Sequence, residues 1–132
     1  MLRCGTKGSQ MAKILLIDDD APTLMLVQTL LQGHNYTVVC ASSGNAGVEM
    51  AVSDETFDLI ITDLSMTGVS GWDVVRAIRA HPAGTEIPIL ALSAYTSAQD
   101  RDEAFEAGCS AYENKPINQG RLLEKIATLL KS

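Results

Sequence analysis

Aromatic residues are scarce in this chain, and its apolar residues are never gathered into one long run. Phe, Trp and Tyr make up 5% of the 132 residues, against a hydrophobic share of 46%. The core must therefore consist mainly of Leu, Ile, Val and Ala, as is usual in parallel sheets covered by helices. No stretch of about 18 apolar residues occurs, which argues against a membrane-spanning helix. Residues 1–10 lack the apolar centre of a secretory signal.

Cysteine is also rare, and the three thiols do not form a recognisable set. Cys4, Cys40 and Cys109 are odd in number and are not spaced as metal ligands. This pattern argues against a secreted domain stapled by disulfides and favours a reduced, cytoplasmic setting. We expect Cys40 and Cys109 to behave as small apolar groups that are buried or half-buried.

Basic residues are outnumbered by acidic ones. The chain has 16 Asp and Glu against 10 Lys and Arg, which gives a net charge of -6. Nucleic-acid interfaces need Lys and Arg gathered on one face to neutralise phosphates. The sequence therefore does not predict direct binding to nucleic acid.

The length of the chain corresponds to about one ordinary domain. We predict one domain over residues 11–132, because Met11 stands directly before the first apolar run. Residues 1–10 are interpreted as an extension that is disordered or was added to the natural chain. Apolar and β-branched runs predict strands at 13–17, 37–41, 58–63, 87–92 and 111–114, and amphipathic stretches predict helices at about 22–33, 43–52, 72–79, 96–107 and 122–130.

Strands that alternate with helices five times indicate an α/β fold with a parallel sheet. Crossover connections between parallel strands are right-handed, so successive helices can cover both faces of the sheet. For five strands the usual doubly wound, flavodoxin-like order is 2-1-3-4-5. This order places the first and third strands side by side at the centre, and ligands bind beyond the carboxyl ends of such strands.

Polar side chains stand at four of the five predicted strand ends. The first strand ends in Asp18 and Asp19, the third in Asp63, the fourth in Ser93, and the fifth leads to Lys115. Three neighbouring carboxylates repel one another unless a cation or a proton lies between them. Carboxylates and a backbone carbonyl are ligands that suit Mg²⁺, which keeps open positions for phosphate oxygens. A carboxylate nucleophile, a metal, a lysine and a hydroxyl are the parts required for phosphoryl transfer to an aspartate.

Taken together, these motifs resemble the response-regulator receiver family of two-component phosphorelays. The resemblance covers about Ala12 to Lys131, and its anchors follow one another in the family's order. The matching segments are Ile17-Asp18-Asp19-Asp20, Thr62-Asp63-Leu64-Ser65-Met66, Gly71, Leu92-Ser93-Ala94 and Lys115-Pro116.

The resemblance implies roles for the acidic residues. Asp63 would be the phosphoacceptor. Asp19, Asp63 and the backbone carbonyl of Ser65 would bind Mg²⁺, with Mn²⁺ as an alternative ion. Asp18 would belong to the same metal site and act mainly through a metal-bound water.

It also implies roles for three residues on the last two strands. Lys115 would bind a phosphoryl oxygen, and Ser93 would contact the phosphoryl group as the switch hydroxyl. Tyr112, three residues before Lys115, matches the aromatic switch position of the family. Phosphorylation would draw Ser93 toward the phosphoryl group and turn Tyr112 inward.

The expected partners follow from the same resemblance. A sensor histidine kinase or a histidine phosphotransfer protein would donate the phosphoryl group, and a downstream output protein would bind the face formed by helix 4, strand 5 and helix 5. The chain would catalyse only its own phosphorylation and dephosphorylation. Whether phosphorylation leads to a dimer is left open. The chain could be a stand-alone regulator or a piece of a larger hybrid protein, and a start at Met11 favours the stand-alone regulator.

Three positions depart from the common pattern or modify it. Thr67 stands where many family members have proline, so we expect a less rigid loop after Asp63. Ser65 and Tyr95 lie two residues beyond the phosphoacceptor and the switch hydroxyl, where the family tunes loss of the phosphoryl group. The direction of that effect does not follow from the sequence.

Several residues near the site have simpler expected roles. We expect Asp20 to cap the helix that follows it, and His34 and His81 to be solvated or capping residues at helix ends. Trp72 and Met66 are interpreted as packing residues.

Other classes of protein fit the pattern less well. The Asp18-x-Asp20 spacing superficially matches haloacid dehalogenase phosphohydrolases, but those need an acidic pair after their lysine, and only Glu124 follows Lys115. A flavin-binding module would need a loop rich in Ser, Thr and Gly after the first strand, where this chain has acids. An unphosphorylated pseudo-receiver that serves only for docking conflicts with the intact anchors.

Overall fold

The computed structural model describes residues 12–53, 55–66, 70–94 and 98–131. The predicted extension at residues 1–10, Thr67 and Tyr95 therefore lie outside the described residues. The strands are β1 (Lys13–Ile17), β2 (Thr37–Ala41), β3 (Leu59–Asp63), β4 (Ile89–Ser93) and β5 (Ala111–Asn114). The helices are α1 (Ala21–Gln32), α2 (Gly44–Ala51), α3 (Gly71–Ala80), α4 (Ala98–Ala107) and α5 (Gln119–Lys131), with a 3₁₀ turn at Pro82–Gly84.

All five strands run parallel in one sheet, in the order β2-β1-β3-β4-β5. This order confirms the predicted doubly wound, flavodoxin-like topology. β1 and β3 are neighbours, with Ile17 opposite Thr62. β4 lies on the other side of β3 and aligns Leu92 with Asp63, so the polar strand ends meet at one edge of the sheet.

The sheet is covered on both faces, and each face has its own apolar cluster. Alternate residues of β1 point to opposite sides, because successive side chains of a strand do so. Leu15 and Ile17 pack with α2, α3 and α4, whereas Ile14 and Leu16 pack with α1 and α5. The central strands are consequently buried along their whole length, which explains why they read as continuous apolar runs.

Two strand boundaries differ from the prediction by one or two residues. β3 begins at Leu59 rather than at residue 58, because Asp58 is an exposed residue whose carboxylate accepts a hydrogen bond from the backbone of Lys13 (2.8 Å). β4 begins at Ile89 rather than at residue 87 and includes Ser93. Pro88 has no N–H for the ladder, although its carbonyl accepts from the N–H of Ile60 (2.9 Å).

Capping side chains account for the helix starts near the strand ends. Asp20 is the N-cap of α1 and accepts a hydrogen bond from the backbone N–H of Thr23 (3.1 Å). The hydroxyl of Thr23, together with this N–H, holds the pKa of Asp20 below its usual range. His34 contacts the carbonyl of Leu30 just beyond α1 (3.1 Å), and His81 caps the 3₁₀ turn. The capping roles expected for these three residues are confirmed.

Arg79, in the last turn of α3, joins the two connections that lead into β4 and β5, at the edge of the sheet away from the polar strand ends. Its Nε donates to the carbonyl of Gly108 (2.8 Å). One terminal nitrogen donates to the carbonyls of Gly84 (2.9 Å) and Ile87 (2.6 Å), and the other reaches the hydroxyl of Ser110 (3.3 Å). Since charge-assisted hydrogen bonds are among the stronger ones, this residue holds the entries to β4 and β5 in place.

Replacing Arg79 by Met is expected to destabilise the fold by about 3 kcal/mol, because part-buried carbonyls lose their donors while the apolar stem is kept. Urea unfolding followed by circular dichroism measures this loss. Arg76→Met is the matched control, since Arg76 is exposed and pairs only with the exposed Asp73 among described residues; it should change stability by less than about 0.5 kcal/mol. Equal unfolding midpoints for the two variants would contradict the role of Arg79.

The remaining local predictions concern the burial of two cysteines, the packing of Met66 and Trp72, and membrane-spanning helices. Cys109 is buried and Cys40 is half-buried, as expected. Burial raises the pKa of the Cys109 thiol to about 11, so this thiol stays protonated at neutral pH. Met66 and Trp72 pack against the cluster on the α2, α3 and α4 face, which confirms their expected packing role. None of the helices in the described ranges is long and apolar enough to cross a membrane.

Candidate functional site

Asp63 ends β3 with its carboxylate almost out of contact with bulk water. The residue is 3% exposed. The backbone N–H and the hydroxyl of Ser65 both approach its Oδ1 at 3.3 Å. The next residue, Leu64, continues the pairing with β4 through its N–H and the carbonyl of Leu92 (2.9 Å). The carboxylate is thus held by a buried strand on one side and by its own loop on the other.

Asp18 and Asp19 follow β1, the strand beside β3. One carboxylate oxygen from each, together with one from Asp63, can be chosen so that all three lie within 4.8 Å of one another. Asp18 is buried and Asp19 is exposed. The Asp18 carboxylate also accepts from the backbone N–H of Asp20 (2.9 Å), which fixes its orientation. The cluster is therefore open to solvent on the Asp19 side.

The electrostatics of the cluster are those of a site with excess negative charge. Burial raises the pKa of Asp18 above its ordinary value, and the charge of Asp63 raises it further. The N–H of Asp20 and the ammonium of Lys115 act in the opposite direction. The net direction is upward, which means that the donors present do not fully offset the cost of holding this carboxylate charged.

Lys115 brings the one positive charge that contacts the described cluster. Its Nζ lies 3.4 Å from Oδ2 of Asp18 and 3.4 Å from Oδ1 of Asp63. The N–H of Lys115 donates to the carbonyl of Ser93 (2.8 Å), so the loop after β5 is tied to the end of β4. The side chain of Lys115 is 22% exposed, and it can therefore reach a ligand that enters from solvent.

The two predicted switch residues lie next to the cluster in the sheet. Ser93 is fully buried and ends β4, one residue beyond the partner of Asp63. Tyr112 is 6% exposed and belongs to the apolar cluster on the α2, α3 and α4 face. The ring therefore packs inside that cluster in this structure. The inward turn of Tyr112 upon phosphorylation stays a prediction.

The donor set fits a divalent magnesium ion. Three carboxylates face one ammonium, so the cluster retains about two negative charges when all groups are ionised. The oxygen separations of up to 4.8 Å are near the span of two opposite Mg–O bonds, which is about 4.2 Å. One ion with Mg²⁺ chemistry could therefore contact Asp19 and Asp63 after small side-chain adjustments. The Ser65 carbonyl and the water-mediated contact of Asp18 stay predictions.

One charged group beside the site was missed in the sequence. Glu113, on β5, is 4% exposed and forms ion pairs with Arg121 and with Lys125 (3.0 Å) of α5. Lys125 also donates to the carbonyl of Tyr112 (2.6 Å). The only sequence signal was the spacing of Arg121 and Lys125, which are four residues apart and so share one side of a helix.

Comparison with known proteins supports one family. The sequence model of the family described as the response regulator receiver domain matches residues 14–127 of this chain. The sensor protein GacS of Pseudomonas syringae pv. syringae is 36% identical over 122 residues, which cover 90% of this chain and 13% of that protein. The probable transcriptional regulatory protein SilR of Salmonella typhimurium is 34% identical over 119 residues, which cover 90% of this chain and 51% of that protein.

Solved structures agree with the sequence matches. The chemotaxis protein CheY4 of Vibrio cholerae superimposes with a TM-score of 0.85 at 31% identity, covering 90% of this chain and 98% of that chain. A second match is the receiver domain of the sensor histidine kinase PA1611 of Pseudomonas aeruginosa, which was solved with a magnesium ion in its active-site cleft. It has a TM-score of 0.85 at 27% identity, and the match covers 92% of this chain and 99% of that chain.

The matched relatives are longer than this chain. It spans 13% of GacS and 51% of SilR, so their other segments have no counterpart among these residues. What is shared is the receiver segment, over nearly the whole length of the chain. The fold, the order of the strand ends and these matches lead to one conclusion: the chain belongs to the response regulator receiver domain family and is a receiver domain of two-component signalling.

Proposed function

We propose that this receiver domain accepts a phosphoryl group on Asp63 from a phosphohistidine of a sensor histidine kinase or a histidine phosphotransfer protein. The observation that carries the proposal is the convergence of Asp63 with Asp18, Asp19 and Lys115. A buried carboxylate beside two other acids and one lysine is costly for stability, and phosphoryl transfer is a function that makes use of it.

The chemistry assigned to Asp63 is an in-line displacement. Three donors, two from Ser65 and one from Lys115, approach Oδ1. We therefore assign Oδ2 as the atom that attacks phosphorus. The O–P bond of an acyl phosphate forms as the N–P bond of the donor breaks, and the imidazole leaves as the neutral base after taking up a proton. Lys115 lies where its ammonium can offset charge on a phosphoryl oxygen.

Magnesium is the proposed cofactor, with Mn²⁺ as an alternative. Asp19, Asp63 and the carbonyl of Ser65 would hold the ion, with Asp18 acting through a bound water. When bound, it would neutralise charge on the phosphoryl oxygens. Lys115 supplies one positive charge to the two buried carboxylates that it contacts, so a divalent ion would add the charge needed to balance the cluster.

The readout is assigned to the face formed by α4, β5 and α5. Ser93 would bond to the phosphoryl group, and a buried Tyr112 would favour the conformation that an output protein recognises. We assign the chain to the cytoplasm, with dimerisation on phosphorylation as a dependent property of the same face.

Two measurements test the proposal directly. Incubation with acetyl phosphate and Mg²⁺ should add the mass of one phosphoryl group to the intact protein. The adduct should resist acid and be removed by hydroxylamine, as an acyl phosphate is. The proposal would be rejected if the protein gained no mass with acetyl phosphate and also gained none with a panel of phosphorylated histidine kinases.

Asp19→Asn is expected to remove most of the stabilisation that Mg²⁺ gives. At about 100 times its Kd, an ion that binds only the folded state adds about 2.7 kcal/mol. Thermal unfolding in EDTA and then at rising Mg²⁺ concentrations measures the gain. Asp20→Asn is the matched control, because Asn caps a helix as well as Asp and Asp20 is not a member of the cluster. An equal response to Mg²⁺ in both variants would argue against Asp19 as a ligand.

A further inference from the structure

A polar pocket on the α4, β5 and α5 face contrasts in charge with the rest of the protein. Its volume is about 260 Å³. Its described lining carries two arginines and one lysine against one glutamate, whereas the chain has a net charge of -6. The lining residues are Arg101, Tyr112, Glu113, Asn114, Arg121 and Lys125.

Glu113 holds two of the cations at the wall of this pocket. Its carboxylate is 4% exposed and pairs with Nε of Arg121 and with Nζ of Lys125. The side chains of Arg121 and Lys125 remain 57% and 36% exposed. A guanidinium has five N–H donors and an ammonium has three, so these pairs leave each cation with further donors for an incoming acceptor. The buried pairs therefore position the cations and do not cover them.

Arg101 supplies the third cation from α4, beside an exposed apolar side chain. Phe105 is 44% exposed and follows Arg101 by four residues, so the two share one side of the helix. The acidic residues that flank Arg101 are Asp100, Asp102, Glu103 and Glu106. At about 100° per residue, they point at least that far from Arg101 around the helix axis. One side of α4 thus offers a cation and an aromatic ring together.

We propose that this pocket binds an acidic segment of a partner protein, with carboxylates against Arg101, Arg121 and Lys125 and an apolar side chain of the same segment against Phe105. The inference rests on the proposed function, since it names the chemistry of the output partner. β5 joins the pocket to the site: Glu113 and Tyr112 precede Lys115, whose Nζ contacts Asp63.

Charge complementarity favours a peptide carboxylate over nucleic acid. Three cations around one pocket can bind a few carboxylates, whereas a nucleic-acid strand needs a continuous basic track. The acidic residues elsewhere on the chain would repel the remaining phosphates of such a strand. They would also orient an acidic partner so that only this face is approached.

Fluorescence anisotropy with two labelled peptides tests the proposal. The first is an amphipathic helical peptide rich in Glu and Leu, and the second has Gln in place of every Glu. Wild-type protein, with and without acetyl phosphate and Mg²⁺, should bind the Glu peptide at least about tenfold more tightly than the Gln peptide. Added salt should reduce this preference.

Arg101→Glu should weaken binding of the Glu peptide by about tenfold or more, because it places a like charge in the pocket. Arg76→Glu is the matched control: it makes the same change in net charge at an exposed residue of α3 and should change binding by less than about twofold. Circular dichroism of both variants verifies that they are folded.

Each outcome separates this inference from the proposed function. The acidic-partner proposal would be overturned if the two peptides bound equally, or if both variants lost the same affinity for the Glu peptide. It would also be overturned if a single-stranded oligonucleotide competed as strongly as unlabelled Glu peptide. Phosphoryl incorporation is measured on the same samples. Phosphorylation without a preference for the Glu peptide rejects only this inference, whereas a charge-dependent preference without phosphorylation rejects only the proposed function.

Discussion

Asp63→Asn is expected to abolish the acyl phosphate that acetyl phosphate and Mg²⁺ form on the wild-type protein. The substitution keeps the shape of the side chain but removes the oxygen nucleophile, so the chemical step has no acceptor. Intact-protein mass spectrometry and a hydroxylamine-sensitive label measure the loss. The contacts of Ser65 with Oδ1 hold the Asp63 carboxylate in one orientation, which an amide can retain.

Folding must be preserved for this result to be informative, and the charges predict that it is. Asp63 lies among two other carboxylates and one ammonium, so removing its charge relieves more repulsion than attraction. The variant should therefore be at least as stable as wild type in Mg²⁺-free buffer. Asp73→Asn, in the exposed first turn of α3, is the control and should label normally. A persistent hydroxylamine-sensitive label in Asp63→Asn would identify another acceptor.

Gly71→Ala is expected to cost about 3 kcal/mol or more of stability, because the new methyl group meets backbone that cannot move aside. A Cβ at Gly71 would lie 2.3 Å from Cα of Leu64 and 2.4 Å from the carbonyl oxygen of Asp63. The N–H of Gly71 also donates to the carbonyl of Leu64 (3.2 Å), so α3 begins directly against the loop that follows the candidate acceptor. Urea unfolding measures the loss.

Gly120→Ala is the matched control for this prediction. A Cβ at Gly120 would have Oδ1 of Asn118 as its nearest neighbour, at 3.7 Å, which is an ordinary contact. Because Gly120 lies in the first turn of α5, alanine should be neutral or stabilise by up to about 1 kcal/mol. The surviving fraction of folded Gly71→Ala should also accept phosphate more slowly, since Leu64 adjoins Asp63. Equal stability of the two variants would contradict the close approach at Gly71.

Strands and caps that depend only on neighbouring residues were predicted accurately from the sequence. β1, β2 and β5 begin and end where they were predicted, because apolar or β-branched runs there meet turn residues or acids. Asp20 could be predicted as a cap since capping depends on neighbours within one helical turn. The start of β4 at Ile89 could not be predicted in this way, because Arg79, eight residues before Ile87, donates a hydrogen bond to the carbonyl of Ile87.

The candidate site also contains some features that the sequence predicted and others that it did not. The sequence order of Asp18, Asp63 and Lys115, combined with the hand of parallel crossovers, was enough to predict that they meet. Their roles in phosphoryl transfer stay predictions. The buried pairing of Glu113 with α5 had no comparable signal, because a lone acid in a short strand looks like any edge residue until its helix is docked.

By itself, the sequence determined the alternation of strands and helices, the order of the sheet and the set of polar residues at its carboxyl edge. The strands and helices follow from local periodicity, and the order of the sheet follows from the usual order of five-stranded doubly wound folds. Only the tertiary structure decided which groups touch: Lys115 reaches Asp18 across 97 residues of chain, and Tyr112 is buried in the cluster on the α2, α3 and α4 face. Such contacts depend on the packing of helices onto the sheet, where differences of about one ångström decide whether two groups interact.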